Sequence, residues 1–512
     1  MNNSANLLKS LIVYAIIVPL AIFVGFVLTN PMQVSTFIYG GIFGLFLVFP
    51  LLLKWHQPLL LLSWNSSLVV FFLKGAPNLW LVMVTLSLGI SLMERALNRD
   101  RRFIGVPQIT VPLVCLIAVV LFTAKMNGGI GLRAFGSEVM GGKKYIFLIV
   151  GILSYFALTD HRIPPERAKL YLSLYLLGGL TYAIGDFYSI APGFLNFIFW
   201  LFPPTFYTGD FQFGVTRLGG VGEAGFALWC WLLAIYGVRG IFLAGKLWRP
   251  VLLLATFALM FMGGHRLTLL LGGMIFLLMF FLEGIHRTRI MPVFVLLALM
   301  SAVAIVPLAR HLPFTFQRAL TFLPLNLDPE AVASAEDSSQ WRIKMWEALL
   351  PEVPKYLLVG KGYAISQEDF DVMARGSGLR AIDASQQGLA LAGDYHSGPF
   401  SVILPFGIWG AITFLWFMFA GLWVMYQNYK YGDPALQTVN TFLWVMFVVE
   451  SFSFLFLFGA LAYDMGRFLG PLGFSIALNG GVCRRVRAAA PDPAARPLPA
   501  ARAFPRRPAF QR

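Results

Sequence analysis

Three residues of this sequence have the chemistry to hold a phosphate and to move a proton. Arg217 lies among glycines in Phe213-Gly-Val-Thr-Arg217-Leu-Gly-Gly-Val-Gly-Glu223, and Arg266 ends the short sequence Gly263-Gly264-His265-Arg266. A guanidinium suits phosphate because its planar fork donates two parallel, charge-assisted hydrogen bonds. His396 closes a long polar segment, and a histidine has a pKa near neutrality, so it can accept a proton from an attacking hydroxyl.

Each of these residues also has an ordinary structural explanation. An arginine at the end of an apolar helix often extends its guanidinium to lipid headgroups. A lone histidine where a loop meets a helix commonly caps or packs against that helix. Two arginines flanked by glycines, next to one polar segment, favour the chemical explanation for the group as a whole.

The polar segment, residues 309–397, is 89 residues long and holds 11 of the 24 acidic residues of the chain. Ser338 or Ser339 is expected to cap a helix within it. One face of that helix would carry Trp341, Met345, Ala348 and Leu349, flanked by Arg342 and Trp346. Four aromatic residues are candidates for stacking on sugar rings, although packing is the commoner role: Trp341, Trp346, Tyr363 and Tyr395.

A set of spaced residues resembles the O-antigen ligase and O-antigen polymerase family: Arg342-x3-Trp346-x13-Gly360-x-Gly362, then His396, then Leu404-x2-Gly407-Ile408-x-Gly410. The resemblance covers roughly residues 205–425. Members commonly have Asn after the loop histidine and a small residue before the hairpin arginine, whereas this chain has Ser397 and His265.

The resemblance implies a multi-span enzyme that moves glycan from undecaprenyl pyrophosphate outside the inner membrane of Gram-negative bacteria. It implies an active site of Arg217, Arg266 and His396, in which the arginines hold pyrophosphate and the histidine activates the acceptor hydroxyl. Arg342 would support the loop or contact phosphate, and Trp346 and Tyr395 would contact substrate. The acceptor would be a growing glycan or lipid A core.

Composition places these residues in a membrane protein. The chain is 58% hydrophobic and 12% charged, with a mean hydropathy of +0.74. Apolar runs of membrane-spanning length, about 20 residues, recur along it. They predict spans near 10–29, 34–53, 58–73, 78–94, 104–124, 145–160, 169–190, 224–238, 250–264, 267–285, 290–308, 398–425, 437–457 and 465–482.

The predicted fold is therefore all-α and integral to the membrane, with about 12 to 14 transmembrane helices and one large periplasmic loop containing helices. The pair 58–73 and 78–94 is the weakest, because Asn65, Ser66 and Ser67 interrupt its first member. Residues 192–207 are apolar but broken by prolines. We interpret them as an interfacial or re-entrant element, because a crossing there would reverse the charge pattern described next.

Orientation follows from Lys and Arg, which concentrate on the cytoplasmic side. With the N-terminus inside, a large group falls in the cytoplasm: Lys9, Lys54, Arg95, Arg99, Arg101, Arg102, Arg162, Arg167, Lys169, Arg239, Lys246, Arg249, Arg287, Arg289 and Lys430. The polar segment then faces the periplasm of a bacterial inner-membrane protein. The first span, 10–29, is interpreted as a retained signal anchor.

Four regions follow along the chain: transmembrane helices in 1–308, the periplasmic loop in 309–397, transmembrane helices in 398–483 and a basic cytoplasmic tail in 484–512. The tail holds eight arginines and one acid, and its Ala-Pro-Arg composition predicts disorder. The tail accounts for much of the net charge of +15, and it is expected to lie near anionic membrane lipid. Nucleic-acid binding is the poorer explanation of this charge.

We expect no cofactor and no metal, since His265, His311 and His396 lack zinc spacing and the cysteines offer no metal site or disulfide framework. The expected partners are an undecaprenyl-pyrophosphate-linked glycan donor and a glycan or lipid A-core acceptor. A transporter or flippase of the same lipid-linked glycan is the alternative. It would explain the membrane-embedded Asp186, Glu223 and Glu450, but the chain lacks the internal repeats that a flippase is expected to show.

Overall fold

A computed structural model describes residues 34–73, 75–98, 102–130, 142–204, 217–364 and 393–484, with a few isolated positions before residue 34. In these ranges the chain is helical, and its one β-type pairing is an isolated bridge between Val69 and Asn78. We number the α-helices in chain order: α1 (Val34–Trp64), α2 (Leu79–Leu97), α3 (Pro107–Met126), α4 (Gly142–Leu158), α5 (Ala168–Leu177), α6 (Tyr182–Asp186), α7 (Ile198–Leu201), α8 (Gly219–Phe242), α9 (Trp248–Met262), α10 (Arg266–Leu282), α11 (Met291–Leu308), α12 (Phe314–Ala319), α13 (Pro329–Leu349), α14 (Val353–Tyr356), α15 (Gly398–Tyr431), α16 (Gln437–Phe452) and α17 (Leu461–Asn479).

Seven described helical stretches are long and apolar enough to cross a membrane: Leu79–Leu97, Pro107–Met126, Pro165–Ser189, Gly219–Phe242, Met291–His311, Gly398–Tyr431 and Pro434–Leu457. The apolar helices α9 and α10 are shorter. The chain is therefore an all-α, multi-pass membrane protein, as its hydropathy predicts. The predicted first span, 10–29, lies almost wholly outside the described residues.

The predicted boundary between spans 34–53 and 58–73 is wrong. Helix α1 continues through residues 54–58 and ends at Trp64, directly before Asn65-Ser66-Ser67. These polar side chains compete with helical hydrogen bonds, and they bond to the neighbouring segment instead. The Asn65 amide donates to the Tyr175 carbonyl, and the Ser67 N–H donates to the Thr181 hydroxyl.

The described parts of the polar segment, residues 309–364 and 393–397, lie at one end of the helical bundle, which we call the site end. There the backbone N–H of Leu218, just before α8, donates to Met262 at the end of α9. The start of α17 joins the start of α15, because the N–H of Leu461 donates to the Ser401 hydroxyl.

Lys and Arg residues that the charge pattern assigns to the cytoplasm lie at the opposite end of the bundle. Arg95 is paired with Asp160, and the Arg249 Nη1 donates to the Gly240 carbonyl over 2.6 Å. Ile163 connects this end to α17, because its backbone N–H donates to the Ala477 carbonyl. Among the described residues, the two groups that were predicted to face opposite sides thus lie at opposite ends of the bundle.

The last three helices pack around buried aromatic rings. Phe414 and Phe417 of α15, Phe447 of α16 and Phe468 of α17 are all fully buried and contact one another edge to face or tilted. An amide network closes the opposite end of the same three helices, where the Asn428 amide donates to the Ser475 hydroxyl and to the Gly481 carbonyl. These contacts hold the three C-terminal helices together.

Helix α15 is broken near its start, and the break receives part of the polar segment. Gly407 has φ 62° and ψ −161°, which is not helical, and Pro405 precedes it. The N–H of Lys361 donates to the Leu404 carbonyl, and the N–H of Ile408 donates to the Leu357 carbonyl. Residues 357–362 therefore satisfy backbone groups that the break leaves without helical partners, as irregular backbone inside a membrane protein requires.

Candidate functional site

Helix α13 is the scaffold of the candidate site, and it begins ten residues earlier than the sequence analysis predicts. Its N-cap is Asp328, whose carboxylate accepts the N–H of Glu330, and Pro329 occupies the first helical position. Asp followed by Pro is a good helix start because the carboxylate satisfies an end N–H and proline needs none. Ser339 therefore lies inside the helix, where its hydroxyl donates to the Ala335 carbonyl.

Arg266 connects the start of α10 to the middle of α13. Its Nη2 donates to the Ala335 carbonyl over 3.0 Å and to the Ser339 hydroxyl over 3.1 Å. Its Nη1 donates to the Thr321 hydroxyl over 3.3 Å. Both terminal nitrogens of this guanidinium thus contact protein, and Arg266 holds α13 against the membrane helices.

Arg318, which the sequence analysis did not single out, makes a second connection. Its side chain is buried, its Nε donates to the Ser334 hydroxyl over 3.0 Å, and its Nη1 donates to the Gly264 carbonyl over 3.2 Å. Gly264 has φ 63°, and a Cβ there would lie 3.3 Å from the Arg217 Cδ. Arg217 therefore packs on the same hairpin that presents Arg266.

His265, between these arginines, is held neutral. Burial lowers the pKa of His265, the charges of Arg217 and Arg318 lower it further, and it reaches about 4. The imidazole is thus uncharged at neutral pH. A neutral residue at this position avoids adding to the repulsion among the neighbouring cations.

His396 lies across α13 from the hairpin, two residues before α15 begins. Its ring contacts Trp341 of α13 and Phe458, each with centroids 5.2 Å apart. Its backbone is in the left-handed region, with φ 47°, a conformation uncommon for a residue with a side chain. Such strain occurs often at functional sites. The Nδ1 atom is buried and has no hydrogen-bond partner among the described residues.

Charged groups surround this histidine. Burial, the largest effect, lowers the pKa of His396; Asp394 raises it; Arg342 and Lys144 lower it; and the net change is downward. The Asp394 Oδ1 is 4.0 Å from Nδ1, which is close enough to orient the ring but too long for a hydrogen bond. His396 is therefore neutral at pH 7 and available as a base.

Arg342 connects the two halves of the site. It lies one turn after Ser339 on α13, its guanidinium is 5.7 Å from the centre of the Phe458 ring, and it is half-buried. Burial and the charge of Arg266 lower the pKa of Arg342. Its N–H groups donate to no residue in the described ranges, in contrast to those of Arg266. This guanidinium retains its capacity to bind an anion.

Trp346 and Tyr395 hold the end of the polar segment in place. The indole N–H of Trp346 donates to the Tyr395 carbonyl over 3.1 Å, and the Tyr395 side chain is 2% exposed in a small core with Met345 and Leu349. A ring this buried has no face open to a sugar. These contacts fix the position of His396 relative to α13.

One further arginine near the site was missed by the sequence analysis. Arg467 of α17 faces Asp464, three residues earlier, and Glu450 of α16. An acidic and a basic residue three positions apart inside an apolar span were a usable signal, because charges there are costly unless paired.

A metal-type cluster occurs at the opposite end of the bundle. Single ligand atoms of His56, Glu94 and Asp160 lie within 4.8 Å of one another. Both Asp160 oxygens are already engaged, one by Arg95 at 2.5 Å and the other by His161 at 2.9 Å, so the group is a charge-paired network between helix ends. The sequence Asp369-Phe370-Asp371, of the Asp-x-Asp type, lies outside the described residues.

No family model, no curated protein and no solved structure matches the chain.

Proposed function

We propose that this protein is a glycosyltransferase of the bacterial inner membrane that takes glycan from an undecaprenyl-pyrophosphate donor at the periplasmic face. One observation carries the proposal. Arg217 packs on the hairpin that presents Arg266, the charge of Arg266 acts on Arg342 of α13, and the charge of Arg342 acts on His396. These four residues come from separate parts of the chain and form a series of neighbours at the site end of the bundle. Like charges gathered in a partly dry place repel one another, so such an arrangement is favoured by an anionic ligand.

In the proposed reaction, His396 takes the proton of the acceptor hydroxyl as its oxygen bonds to the anomeric carbon of the donor sugar. The bond between that carbon and the pyrophosphate oxygen breaks, and undecaprenyl pyrophosphate leaves with the bonding electrons. Arg217 and Arg342 offset the charge that develops on the leaving group. Asp394 orients the imidazole. Arg266 acts mainly by holding α13, because its terminal nitrogens already contact protein.

Polymerase and ligase are two forms of the same proposal, with a growing glycan or lipid A core as the acceptor. A flippase for the same lipid is the second candidate, favoured by acidic residues at membrane depth. Two of those acids have protein partners, since Glu450 faces Arg467 and Asp186 accepts the N–H of Val221. Pairing supplies a structural reason for them that needs no transport path.

The test is transfer by the purified full-length chain in lipid nanodiscs, with undecaprenyl-pyrophosphate glycan as donor and product followed on a gel. We expect His396→Ala to slow transfer by roughly 10²- to 10⁴-fold and Arg342→Gln by about a hundredfold. EDTA should have no effect. Arg287→Gln, an exposed arginine at the opposite end of α10, is the matched control. Normal transfer by both site variants, or lipid movement across vesicles without transfer, would overturn the proposal.

A further inference from the structure

Arg467 and its neighbours form a second charged group at the site end, inside the bundle. The Arg467 Nη1 is 3.5 Å from the Asp464 Oδ1 and 3.9 Å from the Glu450 Oε1. Glu223 of α8 and Tyr182 of α6 lie within electrostatic range of the same guanidinium. Counted from the helix ends, these residues lie roughly one to two turns deeper than Arg266.

Arg467 is the accessible member of this charged group. The Arg467 side chain is 59% exposed, although the facing carboxylates of Glu450 and Asp464 are only 14% and 7% exposed. Helix α16 packs against α8, α10 and α17, and the hydroxyl of Thr268 on α10 donates to Glu223. A charged side chain at this depth is costly in lipid and generally faces the interior of the bundle or water, so we treat the space beside Arg467 as a polar chamber.

The Arg467 guanidinium and the Glu450 carboxylate make no hydrogen bond to each other. Arg467 donates no hydrogen bond to the rest of the described chain, and the Glu450 carboxylate accepts none from it. Their closest atoms are 3.9 Å apart, which is beyond hydrogen-bond distance. Because the Arg467 donors and the Glu450 acceptors face one another without bonding, both can still bond to a group that donates and accepts hydrogen bonds.

We propose that this chamber binds a neutral sugar residue of the glycan, an inference that rests on the proposed glycan-transfer function. Three carboxylates, those of Glu223, Glu450 and Asp464, would repel a phosphate. A sugar hydroxyl donates to a carboxylate and accepts from a guanidinium at the same time, so a pair of adjacent hydroxyls satisfies Glu450 and Arg467 together. The site end is thus divided into a cationic part for pyrophosphate and a mixed-charge part for sugar.

The test separates the two parts by binding. Purified, fluorescently labelled chain in nanodiscs is applied to an array of neutral oligosaccharides, and its affinity for inorganic pyrophosphate is titrated separately. We expect Arg467→Gln and Glu450→Gln each to weaken glycan binding at least tenfold while leaving pyrophosphate affinity within twofold. Arg342→Gln should do the reverse, and Arg287→Gln should change neither. Melting temperatures of all variants establish that each is folded.

Kinetics identify which glycan occupies the chamber. With transfer as readout, a raised KM for the acceptor in Arg467→Gln assigns the chamber to the acceptor sugar, and a raised KM for the donor assigns it to the donor sugar. Three outcomes overturn the inference: no glycan binding by the unaltered chain, unchanged glycan binding in both variants, or a loss of pyrophosphate affinity in Arg467→Gln. If the unaltered chain binds glycan but transfers none, the chamber stands and the proposed reaction fails.

Discussion

His396 combines features that suit a base, and each of them arises from a different neighbour. Trp341 and Phe458 fix the plane of the ring, and burial lowers the pKa of the imidazole. Asp394 opposes this effect, whereas Arg342 and Lys144 add to it. The protonation of a single residue therefore reports on the charge of the surrounding site.

The pH dependence of transfer follows from these signs. A histidine that acts as a base must be neutral, so kcat/KM should rise with pH up to a pKa below the ordinary value of about 6.5 and then level off. Asp394→Asn removes a charge that raises the pKa of His396, so the rising limb of the pH profile of kcat/KM should move to lower pH. Arg342→Gln removes a charge that lowers it and should move the limb to higher pH.

The measurement is kcat/KM for the acceptor between pH 4.5 and 8.5 in each variant. Arg287→Gln serves as the reference for a distant loss of positive charge. Identical limbs in all variants, or shifts of the opposite sign, would show that the proton is taken by another group.

Lysine should replace Arg342 poorly. A lysine keeps the charge but cannot reproduce the two parallel donors that the Arg342 guanidinium offers to phosphate. We expect Arg342→Lys to reduce transfer about a hundredfold, close to the effect of Arg342→Gln. The comparison is made at saturating donor and again with kcat/KM for the donor. Near-full rescue by lysine would mean that charge alone is needed at this position.

At the scale of elements, Arg266 and Arg318 hold α13 to the membrane helices. Arg318 is buried and contacts both the hairpin carbonyl of Gly264 and Ser334 of α13. Removing a buried charged donor leaves such acceptors unsatisfied, at a cost of roughly 1–3 kcal/mol. We expect Arg318→Ala to expose α13 to limited proteolysis by a Glu-specific protease, with cleavage at Glu336 and Glu347.

Ser339→Ala is the matched control for that experiment, because it removes one hydrogen bond from Arg266 but leaves those to Ala335 and Thr321. Its digestion should resemble that of the unaltered chain. If Arg318→Ala is equally resistant, other contacts are sufficient to hold the helix.

The break in α15 depends on glycine. At Gly407 the backbone has a conformation open almost only to glycine, and a Cβ would lie 2.6 Å from the Leu357 carbonyl oxygen. We expect Gly407→Ala to lower stability by about 1–3 kcal/mol and to reduce transfer, measured as a fall in melting temperature and rate. Gly273→Ala in α10, where a Cβ meets nothing within 4 Å, should leave both unchanged.

Sequence reasoning predicted the elements better than their contacts. Most apolar runs coincide with helices, since hydropathy depends on local composition. The start of α13 was missed because a serine looked like a cap, although Asp328-Pro329 carries the stronger local signal. Arg318 was missed for another reason, because its partner Gly264 is distant in sequence and only the fold shows that they meet. For Arg467 the nearby Asp464 was a signal that was overlooked, whereas its second partner, Glu450, becomes apparent only from the fold.

For the whole molecule, the separation of charged groups between the two ends predicts a topology. If Lys and Arg mark the cytoplasm, the site end faces the periplasm. In a chain with its three cysteines replaced, Ala348→Cys on α13 should react with a membrane-impermeant maleimide in intact cells. Lys246→Cys, between α8 and α9, should react only after lysis. Both positions are exposed. The reverse pattern of labelling would show that the site end faces the cytoplasm and would exclude a periplasmic active site.

The break at Gly407 has a mechanical consequence. His396 stands at the tip of a short arm, the part of α15 before Gly407, and residues 357–362, just beyond α13 and α14, are bonded to the base of that arm. The indole of Trp346 is bonded to the backbone at its tip. His396 and α13 therefore share one support. A substitution that displaces this arm would move His396 and the end of α13 together, so that damage at Gly407 would reach the base and the arginine of α13 at the same time.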